Sequence, residues 1–344
     1  MHNKKHKIYF RADADNKIGL GHITRCTSLA EILISSFECI FITANNDDLI
    51  REMLKKYQVI YLQSSNLESE LLELRSILSQ NDIVVLDGYQ FTEDYQQTIK
   101  QYVGKLVIID DEANKHYFAD LIINHGSSTA KNRYQRESYT RILTGFKYLV
   151  LRKPFLQHTK LLRTVEKVDS VFICMGGADP FNVTIKLVKA CMLVPFVKYI
   201  DVLIGSAYSN KSELSELLKV ANQSIDIKLH ENLNAEGVAN LIAANEICIC
   251  PSSSISLEVA SIQSGLLTGM VADNQKFIHQ ELLDSECCIS LSDYTNSSEE
   301  ILAEKISYLG SIKNVNSICA NQFKLIDGRS GERLLNEFKL LVRC

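Results

Sequence analysis

The chain has 344 residues, of which 46% are hydrophobic and 23% charged, a globular composition with apolar surface enough for two cores. A formal net charge of −4 and scattered lysines and arginines provide no basic face, so no nucleic-acid partner is expected. No apolar run reaches the ~20 residues of a bilayer span, and Lys4-Lys5-His6-Lys7 leads straight into Ile8-Tyr9-Phe10 without a leader's apolar core, which predicts a cytoplasmic protein with no membrane partner.

Short β-branched runs alternate with segments of helical period, the mark of βαβ units and a parallel sheet. In the first half the expected strands are Lys7–Asp13, Cys39–Ala44, Val59–Gln63, Asp82–Gly88, Lys105–Asp111 and Asp120–His125. Between them Ile23, Cys26, Ala30 and Leu33 recur at helical spacing, as do Leu67, Leu71, Leu74 and Leu78. After a stretch without strands around Arg152–Lys167 the pattern restarts, with Ser170–Gly176, Tyr199–Gly205, Ile225–His230, Glu246–Pro251 and Leu266–Ala272. The fold class is therefore α/β, two Rossmann-like doubly wound parallel-sheet domains facing a cleft. The expected division is an N-terminal domain over 1–150, a linker over 151–166, a second domain over 167–327 and a C-terminal helix over 328–344 that crosses back. Ligands of such sheets bind beyond the carboxyl ends of the strands, so the polar residues there are the candidates.

The first strand runs into Arg11-Ala12-Asp13, and Ile18-Gly19-Leu20-Gly21-His22 opens the first helix. Gly19 and Gly21 let the backbone turn sharply beside a ligand, and the helix start adds free N–H groups and positive potential. Thr24 stands where a dinucleotide fingerprint has its third glycine, which argues against a nicotinamide cofactor. A histidine at a helix start often serves only the local backbone. With Gly19, Gly21, Asp13 and Arg25 around it, His22 reads instead as a base able to take a proton from water near neutral pH. The other histidines, His116, His125, His158, His230 and His279 among them, read as surface or edge residues. Asp13, Asp87, Asp110 and Asp111 also end strands; Asp87 and Asp110 read as turn or capping residues.

The second domain opens with Met175-Gly176-Gly177-Ala178-Asp179-Pro180, and Asn182 is the expected cap of the helix that follows. Gly176 and Gly177 can turn backbone N–H groups toward phosphate oxygens, helped by the helix dipole. The chain's ten cysteines show no C-x-x-C and no paired Cys/His spacing, so they read as buried free thiols, and neither metal nor cofactor is called for.

Taken together, Arg11-x-Asp13, Ile18-Gly19-x-Gly21-His22-x-x-Arg25, Val85-Leu86-Asp87-Gly88-Tyr89, Tyr148-x-x-Leu151-Arg152-x-x-Phe155, Gly176-Gly177-x-Asp179-Pro180-x-Asn182, Glu258, Asp273-Asn274-Gln275 and Asp327-Gly328-x-x-x-x-Arg333 resemble the motifs of a known family. It is the UDP-2,4-diacetamido-2,4,6-trideoxy-β-L-altropyranose hydrolases of pseudaminic acid biosynthesis. The resemblance runs nearly end to end. It implies the glycosyltransferase-B (MurG-type) architecture, a UDP-sugar partner, and metal-independent hydrolysis with inversion at the anomeric carbon by a protein compatible with a monomer. It further implies His22 as general base or positioner of water, Tyr89 and Asn274 lining the sugar and diphosphate region with Gln275 next to them, and Glu258 on the ribose hydroxyls. Where that family carries a glycine-rich turn before the glutamate, this chain reads Cys250-Pro251-Ser252-Ser253-Ser254-Ile255-Ser256, whose Ser253 and Ser254 hydroxyls can donate to phosphate. A UDP-sugar glycosyltransferase and a non-catalytic nucleotide-sugar binder are the alternatives on the same fold.

Overall fold

The computed structural model describes residues 5–14, 20–64, 66–221, 225–291, 294 and 296–343. The chain forms two compact units, Met1–Leu151 together with Arg329–Cys344, and Arg152–Gly328.

Strands of the first unit are β1 (Lys7–Ala12), β2 (Glu38–Thr43), β3 (Gln58–Tyr61), β4 (Ile83–Asp87), β5 (Lys105–Ile109), β6 (His116–Tyr117), β7 (Leu121–Asn124), β8 (Gln135–Arg136) and β9 (Arg141–Thr144). Those of the second are β10 (Ser170–Ile173), β11 (Tyr199–Ile204), β12 (Asp226–Glu231), β13 (Ile247–Pro251), β14 (Gly265–Gly269) and β15 (Ile289–Ser290). One parallel sheet runs β3-β2-β1-β4-β5-β7-β9 and the other β12-β11-β10-β13-β14-β15, with β6 and β8 forming a separate pair. Every residue of β4, β13 and β14 is buried. Helices cover both faces of a parallel sheet, so no solvent side remains and a continuous apolar run replaces alternation. Four strands were not anticipated from sequence: β9 and β15 lie at sheet edges, β6 and β8 form the separate pair, and runs this short carry little period to read.

In each sheet the winding direction reverses at an inner pair, β1 beside β4 and β10 beside β13. A crevice opens at the carboxyl ends of such a pair because the two connections leave in opposite directions. Ala12, the last residue of β1, pairs with Asp87, the last of β4. Past the other switch point stand Gly176-Gly177 after β10 and Ser252–Ser254 after β13.

The helix Gly21–Leu33 lays Ile23, Cys26, Leu29, Ala30 and Leu33 on Ile8, Phe10 and Val85 of the first sheet. The C-terminal helix Ser330–Leu341 adds Leu334, Phe338 and Leu341 to the same core, with Phe338 edge-on to Phe37 at 6.3 Å between centroids. In the helix Leu67–Ile77 the residue that turns inward beside Leu74 is a charged one, Glu70. The nine described cysteines are free and buried. Among the described residues no helix is long and apolar enough to cross a membrane.

Among the contacts that sew the strand-free stretch after Arg152 to the second unit are those of one residue at a helix end. Gln263 follows the helix Ser254–Ile262 in a left-handed conformation (φ 65°) where glycine is usual. Its side-chain amide donates to the carbonyls of His158 (3.2 Å) and Leu161 (3.0 Å) and accepts from the Arg163 amide (2.7 Å). Glycine would relieve roughly 1 kcal/mol of backbone cost but would forfeit these hydrogen bonds, each contributing about 1 kcal/mol. Gln263→Gly is therefore expected to lower stability by about 1–2 kcal/mol in urea denaturation; an unchanged or raised midpoint would contradict this account.

Candidate active site

The first unit gathers its polar residues where β1, β4 and β5 end. His22, in the first turn of Gly21–Leu33, has Nδ1 2.6 Å from Asp87 Oδ1. An ionised carboxylate can only accept, so Nδ1 carries the proton and Nε2 keeps its lone pair. Among the described residues Nε2 makes no hydrogen bond. Arg25, one turn further along, donates from Nε to Asp87 Oδ2 (2.9 Å), from Nη2 to Asp87 Oδ1 (2.6 Å) and from Nη1 to Asp111 Oδ2 (2.7 Å). Asp87 is fully buried; burial pushes its carboxyl up, yet Arg25 and His22 outweigh this and hold it below the usual carboxylate range. The ring of Tyr89 stands edge-on to His22 at 4.8 Å between centroids, and its hydroxyl donates to Asp111 Oδ2 at 3.3 Å. Tyr89 is 40% exposed whereas His22 is 4% exposed, so the phenol forms the outer wall and the imidazole the floor of a small pocket.

Several residues expected at the ligand serve the framework instead. Arg11 is buried, with Nε and Nη2 donating to Glu70 at 2.7 and 2.8 Å and Nη1 lying 2.6 Å from Asp13 Oδ1. Asp13 accepts from the Ala44 amide (2.8 Å), the Thr43 hydroxyl (3.1 Å) and the Gln90 amide (3.2 Å), which ties the ends of β1 and β2 together. Arg25 is likewise consumed by two carboxylates. In both cases a guanidinium this deep is paired with neighbouring acids, which offset the cost of burying its charge. Gly21 has open space where a Cβ would stand. Gly19 lies outside the described residues.

Asp87, read from sequence as a turn or capping residue, instead pairs with both His22 and Arg25. Asp110 is structural as expected, accepting from the Tyr117 and Tyr134 hydroxyls (2.8 Å each) and from the Ala113 amide (2.8 Å). His125 and His279, taken for surface residues, are buried. His125 Nδ1 accepts from the Val150 amide at 3.1 Å, which puts its proton on a buried Nε2 with no hydrogen-bond partner among the described residues. Asp111 Oδ1 is also buried and without a hydrogen-bond partner among them.

In the second unit Gly176 has φ 88°, a left-handed value that glycine adopts freely, and a Cβ on either Gly176 or Gly177 would meet nothing within 4 Å. That face of the turn is open. Behind it a Cβ on Gly205, at the end of β11, would lie 2.6 Å from Gly177 Cα and O, so the turn needs a glycine there too. Asp179, not Asn182, caps the following helix: its carboxylate accepts from Val183 (3.0 Å) and Thr184 (2.8 Å) amides. Asn182 has φ 51° and binds the Tyr208 hydroxyl (2.6 Å) instead. Asp179 thereby occupies N–H groups expected to face phosphate, leaving the backbone of Gly176-Gly177.

In the serine turn, Ser252 Oγ is engaged by Thr268 Oγ1 (2.9 Å) and His279 Nδ1 (2.7 Å). The half-buried Ser253 and Ser254 hydroxyls make no hydrogen bond among the described residues. Glu258, one turn along the same helix, is 5% exposed and takes a two-point ion pair from Arg152. Burial pushes its carboxyl above the usual range against the pull of Arg152. Asn274 and Gln275 lie half-buried after β14, where Gln275 Oε1 accepts from the Val271 amide at 2.9 Å.

The chain is 27% identical over 276 residues, 78% of its own length and 93% of the other's, to the UDP-2,4-diacetamido-2,4,6-trideoxy-beta-L-altropyranose hydrolase of Campylobacter jejuni. It is also 30% identical over 253 residues to the uncharacterised protein MJ1062 of Methanocaldococcus jannaschii, a match over 71% of this chain that spans about half (51%) of that relative. No protein-family model matches the chain. The crystal structure of MurG from Acinetobacter baumannii is similar over 98% of this chain and 99% of its own, with a TM-score of 0.69 at 11% identity. That likeness shows the fold, which is glycosyltransferase-B-like, two Rossmann-like units.

The burial of His125 has a measurable consequence. Burial, followed by the nearby Arg25, lowers its pKa to about 4. An unfolded histidine titrates near ~6.5, so between these values only the unfolded chain binds the proton. Stability is then complete above pH ~6.5 and declines toward pH 4, by roughly 3 kcal/mol. His125→Gln, which keeps an acceptor for Val150, is expected to flatten that decline in denaturation midpoints measured from pH 7 to pH 4. Equal slopes in the two proteins would refute this.

Proposed function

We propose that this protein hydrolyses a UDP-linked deoxyamino sugar to UDP and free sugar, with inversion at the anomeric carbon. The observation that carries the reading is the Asp87–His22 pair, at 2.6 Å, at the carboxyl end of the β1–β4 switch point, with Nε2 left as the accepting nitrogen. Its relative in Campylobacter jejuni is named for hydrolysis of such a substrate.

In this reading water hydrogen-bonded to His22 Nε2 attacks the anomeric carbon. The bond between that carbon and the diphosphate oxygen breaks, UDP leaves with the electron pair, and the water's proton passes to Nε2. Asp87 fixes the tautomer and balances the imidazolium that forms. Tyr89 packs against the imidazole and borders the sugar. A diphosphate needs little protonation to leave, so the leaving side requires mainly donors prearranged for its charge. In the second unit the open backbone of Gly176-Gly177 and the free hydroxyls of Ser253 and Ser254 serve that purpose, with Glu258 on the ribose and Asn274 and Gln275 bordering the ligand.

A screen of UDP-sugars supplied without acceptor tests the assignment. Stoichiometric UDP and free sugar are expected, with kcat reduced about 10²–10⁴-fold in His22→Ala and of similar order in Asp87→Asn. UDP affinity should stay near that of the unmodified protein in both. Inertness until an acceptor is added would make the protein a transferase, and UDP binding without turnover a binder. Full activity in His22→Ala would remove the histidine from the mechanism.

A further inference from the structure

We infer that Lys115 closes the pocket beside His22 to the size of a single water, and that this closure selects water rather than an alcohol as the nucleophile. The inference rests on the reading of His22 as the base for that water, and adds a physical reason for hydrolysis over transfer.

His22, Gly88, Tyr89, Phe91, Tyr117 and Lys115 line the pocket, all of them in the first unit. The space open to the centre of a water molecule is about 10 Å³, which is room for one water. The inner walls are fixed. Phe91 is buried, its ring 4.9 Å from that of Tyr95 and its centre 5.3 Å from Arg11 Cζ. Gln96, which also borders the pocket, donates to the Phe91 carbonyl (3.1 Å) and accepts from the Phe118 amide (3.2 Å), and the Tyr117 hydroxyl donates to Asp110 (2.8 Å). Polar groups engaged in this way offer little to the several hydroxyls of an acceptor sugar. Lys115 forms the outer wall. Past β5, Asp110 accepts from the amides of Glu112 (3.1 Å) and Ala113 (2.8 Å), in a turn where Ala113 takes φ 53°. The chain is pinned again where the His116 amide donates to Glu93 (2.8 Å). Between these anchors Lys115 is half-buried, with its ammonium 3.5 Å from the Tyr89 carbonyl. Its four-carbon stem fills space that a shorter side chain would leave empty.

Tetrahedral geometry at the nucleophile converts this closure into selectivity. An oxygen lying between His22 Nε2 and an anomeric carbon has two of its four directions committed. Water places only a hydrogen or a lone pair on the other two, whereas methanol must place a methyl group on one. Fixed walls refuse the methyl, because overfilling a packed site forces its side chains out of their rotamers. The step thereby suppressed is attack by the methanol oxygen on the anomeric carbon. In it the bond to the diphosphate oxygen breaks, UDP leaves with the electron pair and the hydroxyl proton passes to Nε2, giving UDP and a methyl glycoside.

The test is the ratio of methyl glycoside to free sugar when the full chain turns over, in water containing methanol, a UDP-sugar that the acceptor-free screen finds hydrolysed. The unmodified protein is compared with Lys115→Ala and Lys115→Met. One extra carbon in a closed site is discriminated by about tenfold or more, so the unmodified protein should give a product ratio at least that far below the methanol-to-water mole ratio. Lys115→Ala should raise the product ratio by about threefold or more, and Lys115→Met, which keeps the bulk of the stem without its charge, should leave it low. UDP release in water alone reads folding and catalysis of each variant apart from the ratio. Should Lys115→Ala lose that activity, Lys115→Ser takes its place and the same ratio decides. Methyl glycoside formed by the unmodified protein in proportion to methanol overturns the inference and leaves hydrolysis standing. A ratio unchanged in the shortened variant also overturns it, as does an equal rise in Lys115→Met, which would make charge rather than space the cause. A protein that releases no UDP from any sugar loses the hydrolytic reading and this inference with it.

Discussion

The 2.6 Å contact between His22 and Asp87 is the constraint around which the first unit's site is arranged. Asp87 ends β4 in register with the last residue of β1, and His22 stands in the first turn of the helix that follows β1 in the chain. Two connections diverging from a switch point thus bring together side chains that lie 65 positions apart. Because Asp87 is buried and ionised, it needs compensation beyond one neutral imidazole. Arg25, placed one helical turn from His22, supplies it, then spreads the same positive charge to Asp111 and through it to Tyr89. Burying such a cluster costs several kcal/mol per charge in desolvation. What is gained is direction: the imidazole has one tautomer and one open nitrogen.

The second unit solves a different problem with backbone rather than charge. A turn that receives an anion must leave N–H groups open without stranding those behind it. Asp179 satisfies the first amides of the following helix from within, and Gly205 gives Gly177 room to lie against β11. In the serine turn the labour is divided along three consecutive residues. Ser252 is locked by Thr268 and His279, and the hydroxyls of its two neighbours make no hydrogen bond among the described residues. A glycine-rich turn offers bare backbone at this position; this one offers side chains beside a rigid first residue.

Much of the architecture was legible in order along the chain. Buried parallel strands write themselves as β-branched runs, and the helix through Ile23, Cys26, Ala30 and Leu33 writes itself as a period. Both are local consequences of burial. The edge strands β9 and β15 escaped because a few residues at a sheet margin leave no such trace. Charged residues turned inward were equally opaque: Glu70 on the buried face of its helix answers Arg11, and nothing within the helix announces that partner.

The sequence by itself determined the two βαβ halves, the Gly176-Gly177 turn that opens the second, and the helix start in which His22 stands. Those follow from short-range rules of period, turn chemistry and spacing. Tertiary structure alone decided which polar residues are open and which are saturated. Asp87 became the histidine's partner rather than a cap, Arg11 and Arg25 became bracing, Asp179 displaced Asn182 as the cap, and Glu258 acquired Arg152. A carboxylate's role depends on which cation the fold brings within hydrogen-bond reach. That distance is set by strands and helices remote in the chain, so no local pattern records it.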